Sequence, residues 1–396
     1  MQHDNFIKPR YDSGGFAGLP QRIYDWFAAQ EYEAIVLFLV DGFGWRFLER
    51  YLEAPFLSEL GEKASIEKLT TQFPSTTAAH ITTIHTGLPV GQSGVYEWLY
   101  YEPLVDAVIA PLLFSYAGTA ARNTLETAGV KPRRLYPSGT FYPGLKTLGV
   151  DPHIFQHRDY TPSPFSDVIF NGASAHPFKT IAEGLVNLSI AMEKADPPFY
   201  GYIYLDSIDS LLHQYGPNSP QVDAEIMTFL MMMQHLHRQV LSTGKRTLFL
   251  LTADHGQAEV DPDTVIYLNM EQRFERLLPW LRTNQKGEIL FGGSARDMVL
   301  YVHNEHLQSA QELLSEELQG KAEVVPTKLL IDEGYFGPKP FSKKFPGRLG
   351  NLVILPYRGQ SVWWYEKDRF RMKYYGHHGG LTREEMEIPL ILLEID

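Results

Sequence analysis

The 396-residue sequence contains no cysteine. Disulfides and thiolate chemistry are thereby excluded, and any metal site must use histidine, carboxylate or hydroxyl ligands. Basic residues are in deficit, 35 Lys and Arg against 47 Asp and Glu, for a formal net charge of −12. A nucleic-acid surface would want a basic stripe, so no such partner is expected, although a small phosphate-bearing substrate held through metals is still open. Long apolar runs are absent as well. None approaches the ~18–20 residues needed to span a bilayer, and the stretch MQHDNFIKPRYDSGGF lacks a basic-then-apolar signal pattern. The expectation is a cytoplasmic protein that does not touch membrane. The remaining composition, 44% hydrophobic and 21% charged, is that of an ordinary globular protein. The length allows a full core in one large domain with an insertion, or in two domains.

Three segments share one design, an apolar strand followed by acids and turn residues. They are YEAIVLFLVDGFG (32–44), FYGYIYLDSIDS (199–210) and RTLFLLTADHGQ (246–257). Continuous apolar runs of this kind fit buried parallel strands. Ser219-Pro220 opens a helix as cap and first-turn proline, Gly244 closes it, and the run Met231 to Met233 inside it reads as packing. Strands alternating with helices give an α/β fold with a mostly parallel sheet, in which ligands bind at the carboxyl ends of the strands. Each of the three strands ends in a carboxylate: Asp41, Asp206 or Asp209, and Asp254. Acids gathered at one sheet edge repel unless cations hold them.

Elsewhere the pattern changes. Residues 99–175 are rich in aromatics and prolines with weak periodicity, and are expected to form loops and a helix near the site. Residues 261–345 contain ARDMVLYVH, a helical EHLQSAQELLSEELQG and AEVVP, which read as a compact β-α-β unit inserted into the larger domain. The expected division is a core over 1–260, a small α+β subdomain over 261–345 and a return over 346–396. NLVILP (351–356) is then expected to be a strand re-entering the core.

Asp209 and His213 are four apart and share one helix face. Asp254-His255 follows a strand directly, where Gly256 permits both side chains to reach one site. YYGHHGG (374–380) sets His377 and His378 against paired glycines in a loop. Each has a bland reading: a surface pair, a turn, polar surface. Jointly they supply two divalent cations with about three protein ligands each, leaving the open positions a catalytic site requires. The stretch TTQFPSTTAAHITTIHTGL (70–88) adds seven threonines and one serine. A helix beginning near Thr77 would aim free N–H groups and its positive dipole end at phosphate. Ser75, Thr76 and Thr77 also read as competing N-caps, and metal coordination would make one of these hydroxyls a nucleophile.

The blocks LFLVDGFGW, TTQFPSTTAAHITTIHTGLPVGQSGV, DSIDSLLHQYGP, LTADHGQ and GHHGGLTREEMEIPL occur in this order along most of the chain. In this the chain resembles the alkaline phosphatase superfamily, and within it the type I phosphodiesterase/nucleotide pyrophosphatase branch. The resemblance implies an alkaline-phosphatase-like sheet flanked by helices, with 261–345 as a cap subdomain. It also implies two divalent metals, zinc first and manganese as the alternative. The family's spacing, counted back from the TG of HTGL, lands on Thr77, which the resemblance implies is the nucleophile bridging to one metal, with Thr76 before it. Asp41, Asp254 and His255 match the ligands of the metal that activates Thr77. Asp209, His213 and His378 match the other, with His378 preferred to His377. The implied reaction is in-line attack by Thr77 on a small phosphate ester through a covalent phospho-threonine, with His80 and helix-start amides holding the non-bridging oxygens.

One departure stands out. The family's phosphate-binding asparagine falls at Trp98, with Glu97 beside it, and Trp98, Tyr100 and Tyr101 either line a pocket or pack. Monoesterase, phosphonate hydrolase, mutase and non-catalytic metal-binding readings share these residues, whereas the Cys/Ser-x-Pro/Ala-x-Arg motif of sulfatases is missing.

Overall fold

The computed structural model describes residues 6–195, 198–240 and 245–395. Seven strands form the main sheet: β1 (Ala34–Val40), β2 (Ala64–Thr70), β3 (Asp151–His157), β4 (Ser174–Phe178), β5 (Phe199–Leu205), β6 (Thr247–Thr252) and β7 (Glu387–Ile395). Their spatial order is β2-β7-β6-β1-β5-β3-β4. The pairs β6-β1, β1-β5, β5-β3 and β3-β4 are parallel, and β7 runs antiparallel to both its neighbours. Every residue of β1, β5 and β6 is buried. That is why these segments show no polar alternation: helices cover the sheet and neither strand face meets water. The mostly parallel α/β architecture expected from the sequence is therefore present.

Register then places the chemistry. Val40 pairs with Leu205 and Leu39 with Thr252, so the three central strands end level. The chain leaves β5 into α2 (Ser207–Tyr215), which is followed by α3 (Pro220–Val240). The expected helix closure at Gly244 lies outside the described residues. Ahead of α2, α1 (Thr77–Thr86) carries the hydroxyl-rich stretch. Most of its hydroxyls are spent on the backbone: Thr82 donates to the Ala78 carbonyl at 2.8 Å, Thr83 to that of Leu88 at 2.7 Å and Thr86 to that of Thr82 at 2.7 Å. Such bonds let polar residues occupy a buried helix.

A second sheet of four short antiparallel strands lies in the order 291–292, 298–300, 352–356, 322–326. Helix 307–317 packs against it, and Met298, Leu300, Leu314 and Ile354 share an apolar cluster there. Strand 352–356 is paired in the small sheet, while Val353 and Leu355 on it join the main apolar core, as expected of a strand re-entering the core. Its run LVILP is apolar enough for either, and pairing with 298–300 and 322–326 decided its place. Residues 99–175 also hold more than loops and a helix. They contribute β3 and the start of β4, together with a small three-stranded sheet at 100–102, 107–110 and 115–116. The polar spacing of DPHIFQH hides β3, whose outer neighbour β4 is an edge strand. Among the described residues, no helix is long and apolar enough to cross a membrane.

Candidate metal centre and active site

The loops at the carboxyl ends of β1 and β6 and the start of α1 bring three groups onto one atom. His255 Nε2 lies 3.1 Å from Thr77 Oγ1, 3.3 Å from Asp41 Oδ1 and 3.4 Å from Asp254 Oδ2. Asp41 Oδ2 accepts a hydrogen bond from the Tyr204 hydroxyl. Asp254 Oδ1 accepts from the amides of Gly42 at 3.3 Å and His255 at 3.0 Å. The remaining oxygens, Asp41 Oδ1 and Asp254 Oδ2, are buried and have no hydrogen-bond partner among the described residues. Gly42 makes the convergence feasible: its φ is +74°, and a Cβ there would sit 3.2 Å from Asp209 Cα.

A second group adjoins the first. Asp209 and His213, one turn apart on α2, approach to 3.4 Å, and His378 Nε2 lies 4.0 Å from Asp209 Oδ1. The His378 ring stacks on that of His255 with centroids 3.6 Å apart. Two sets of ligand atoms each fall within 4.8 Å: Asp41, Asp254 and His255, and Asp209, His255 and His378. His213 touches Asp209 but stands outside the second set at that distance. The geometry favours His378 over His377, whose Nδ1 accepts from the His378 amide at 2.9 Å.

The donor set suits cations in a further respect. His255, His213 and His378 each donate Nδ1–H to a backbone carbonyl, of Gly256, Gly376 and Ser75, at 2.9, 2.8 and 2.9 Å. Each Nε2 is thereby left with a lone pair facing the carboxylates, the arrangement usual for metal-bound imidazole. Without a cation the electrostatics are unfavourable. Burial, then the charges of Asp254 and Asp209, hold the Asp41 carboxyl well above its usual range. Burial, then His255, His213 and His377, hold the His378 imidazole well below its own.

Thr77 begins α1, and Thr76 is its N-cap residue in extended conformation, without a capping bond from its own side chain. Ser75 ties the loop before Thr77 to the His378 loop: its Oγ donates to the Gly380 carbonyl at 2.8 Å and accepts from the Gly379 amide at 3.0 Å. Of the three hydroxyls that read as rival caps, Ser75 is therefore a staple, Thr76 the N-cap residue and Thr77 the group facing His255. His80 does not reach the phosphate position expected for it. It is fully buried, its Nε2 accepts from the Gln72 amide at 2.8 Å, and its Nδ1 donates to the Thr76 carbonyl at 2.7 Å. Burial lowers its pKa to about 4, so it is a neutral clamp on the turn before Thr77.

A cavity of about 420 Å³ opens over this edge and is lined by Asp41, Thr76, Thr77, Asp209, His213 and His378. Trp98, 40% exposed, forms part of its wall, whereas Tyr100 is fully buried and packs. Glu97 also lines the cavity, but with no exposed surface. Burial pushes its carboxyl up to about 8 against the opposing effects of the Trp98 amide and the Thr76 hydroxyl, so it is mainly uncharged at neutral pH. An uncharged carboxyl at this position would not repel an anion in the cavity. Asp297, also fully buried, is raised by burial and by Glu97, while its Oδ1 accepts from the Ser294 amide at 2.9 Å and hydroxyl at 2.6 Å. Sequence reasoning passed over Tyr204, Asp297 and Gln257, whose side-chain amide donates to Asp209 Oδ1. The only signals were the alternating tyrosines of β5 and the glutamine closing LTADHGQ.

The family model for type I phosphodiesterase/nucleotide pyrophosphatase matches residues 35–381. The chain is 26% identical over 279 residues to venom phosphodiesterase CdcPDE of Crotalus durissus collilineatus, covering 67% of this chain and 30% of that one. It therefore spans about three tenths of the length of this relative. Among solved structures, murine ectonucleotide pyrophosphatase/phosphodiesterase 5, as an inactive threonine-to-alanine form with AMP, superposes with a TM-score of 0.65 at 15% identity, covering 90% and 87% of the two chains. Phosphonoacetate hydrolase of Sinorhizobium meliloti 1021 with phosphonoacetate gives 0.63 at 15% identity, covering 90% and 89%. With its motif blocks in order and the family model matching from β1 to the loop before β7, this chain belongs to the type I phosphodiesterase/nucleotide pyrophosphatase family of the alkaline phosphatase superfamily.

Proposed function

We propose that the protein is a two-metal hydrolase of small phosphate esters, a phosphodiesterase working through Thr77. The observation that carries this reading is the convergence of Thr77 Oγ1, Asp41 and Asp254 on His255 Nε2, beside Asp209, His213 and His378. Asp41, Asp254, His255 and Thr77 would hold one divalent ion and Asp209, His213 and His378 the other; zinc suits this imidazole-carboxylate set, and manganese is the alternative. When bound, the ions neutralise the carboxylates, lower the pKa of a hydroxyl and stabilise a leaving oxygen.

The protein's own residues do the rest. Thr77 Oγ1 forms a bond to phosphorus as the bond to the departing alkoxide breaks, giving a phospho-threonine. Water then adds to phosphorus and the Thr77 Oγ1–P bond breaks, regenerating the hydroxyl. The Thr77 proton leaves to solvent and the departing alkoxide is protonated from water. First-turn amides of α1, not engaged within the helix, are suited to the non-bridging oxygens. His80 keeps that turn in place, and Trp98 walls the substrate where the family's asparagine would stand. In the structural relative with AMP, loss of a threonine accompanies inactivity. We also propose that residues 1–260 and 346–396 form the core and 261–345 a cap over the pocket, with strand 352–356 joined to the cap by its pairing.

The deciding assay compares bis(p-nitrophenyl) phosphate with p-nitrophenyl phosphate on zinc- or manganese-loaded protein, with Thr77→Ala as blank. Faster diester turnover, lost in the variant, is expected. A monoester preference moves the reading to a phosphatase or mutase. The likeness to phosphonoacetate hydrolase makes a phosphonate the next substrate to try.

A further inference from the structure

The cavity lining also includes a part unlike the Asp and His cluster. It is largely apolar, built from Leu112, Leu113, Phe165, Trp363, Phe370 and Met372, and it carries three arginines, Arg122, Arg369 and Arg371. They come from two segments that touch: Arg369 Nη2 donates to the Ala117 carbonyl at 3.2 Å, five residues before Arg122. Arg369 is committed, with its Nη1 2.6 Å from Glu366 Oε1. Arg122 and Arg371 are both exposed, and neither has an ion-pair partner among the described residues. Arg122 lies over the Tyr160 ring at 5.3 Å, and the Tyr160 hydroxyl donates to Asp206, also on the cavity wall. In a chain of net charge −12, two guanidiniums without an ion-pair partner among the described residues line the same cavity as the candidate nucleophile and the carboxylates.

We propose that Arg122 and Arg371 bind a second anionic group of the substrate, a carboxylate or a phosphate, joined to the reacting phosphate through an apolar or aromatic body. The inference rests on the reaction proposed above and adds the substrate class. The reacting phosphate belongs at the acidic base with its cations, the six apolar side chains cover the body, and the guanidiniums take the far anion through paired N–H donors. Because both arginines are exposed, solvent and salt weaken the contact, and a preference of about tenfold is expected rather than an absolute requirement.

The test uses four matched p-nitrophenyl aryl phosphate diesters. The para substituent on the second ring is hydrogen, carboxylate, phosphonomethyl or trimethylammonium. Dissociation constants are measured by calorimetry on metal-loaded Thr77→Ala protein, with and without Arg122→Ala/Arg371→Ala, while wild-type turnover of the same diesters is followed by nitrophenolate release. The carboxylate and phosphonate should bind about tenfold more tightly than the unsubstituted diester and the trimethylammonium compound more weakly. The preference should shrink at high salt and disappear in the double arginine variant. The two anionic arms show whether carboxylate or phosphate is preferred. Equal affinities across the series, no binding of any diester, or an anion preference that survives loss of both arginines overturns the proposal. Anion-selective binding without wild-type turnover would uphold this site and refute the phosphodiesterase reading.

Discussion

Thr77 Oγ1 faces His255 Nε2 at 3.1 Å, while Ser75 is held between two loops and Thr82, Thr83 and Thr86 are on carbonyls; Thr76 also lines the cavity but makes no hydrogen bond to His255. On the proposed reaction, Thr77→Ala should lower diester turnover at least ~1000-fold. Bound metal, measured by mass spectrometry, should stay near wild type, because each ion keeps its carboxylate and imidazole ligands. Retained turnover would remove Thr77 from its role. Glu97 gives a second prediction at this scale. Its folded-state carboxyl is raised to about 8, against roughly 4.3 for an unfolded glutamate. The folded state thus holds an extra proton between those values. The stability this provides is fully present below about pH 4.3 and is lost as pH rises through 8. Glu97→Gln, similar in shape and always neutral, should raise the melting temperature of chelated protein at pH 9 and change it little at pH 5. Equal melting of both proteins at pH 9 would show that Glu97 carries no such burden.

The loop that brings His378 to the site is held from outside by a buried ion pair. Arg296, next to strand 298–300 of the small sheet, makes two bonds to Glu385, Nε to Oε1 at 3.0 Å and Nη2 to Oε2 at 2.9 Å, with both side chains fully buried. Glu385 also accepts from the Gly380 amide at 3.0 Å and the Thr382 hydroxyl at 2.6 Å, closing a capping box. At Gly379, with φ +123°, a Cβ would meet Ser294 Oγ at 2.5 Å, so the His378 loop and the 294–297 turn are in contact. Removing the guanidinium leaves an uncompensated buried carboxylate, so Arg296→Ala should destabilise the protein by about 3–5 kcal/mol. Denaturant titration measures this, and metal content should fall with it as His378 loosens. Loss of stability below ~1 kcal/mol would mean the pair is not an anchor.

For the molecule as a whole, the main sheet gathers Asp41, Asp209 and Asp254 close together, where bound cations would make their proximity favourable. Removing divalent metal with a chelator should lower the melting temperature by on the order of 5 °C, and zinc or manganese should restore it, as expected for ligands that bind only the folded state. A melting curve indifferent to chelator would contradict the assignment of these residues as ligands. Much of this site was legible in the amino-acid order. β1, β5 and β6 are continuous apolar runs because both faces are buried, and the acids that follow them must emerge at one edge of a parallel sheet. The i, i+4 spacing of Asp209 and His213 is likewise a local property of a helix. Local pattern could not place β3, whose polar spacing resembles loop, or strand 352–356, whose apolar residues suit either sheet until a partner is available. Nor could it place His80, since a histidine on α1 reads alike whether it faces phosphate or the Gln72 amide. The sequence by itself determined the fold class, because that follows from periodicity and from which residues end each strand, whereas the candidate ligand set and Thr77 were named through the resemblance of its motif blocks to the family's. Tertiary structure alone decided that Glu97 is buried into neutrality, that Tyr204 and Gln257 hydrogen-bond the carboxylates, and that Arg122 and Arg371 line one cavity. Burial and convergence depend on segments hundreds of residues apart, and no stretch of chain carries that information locally.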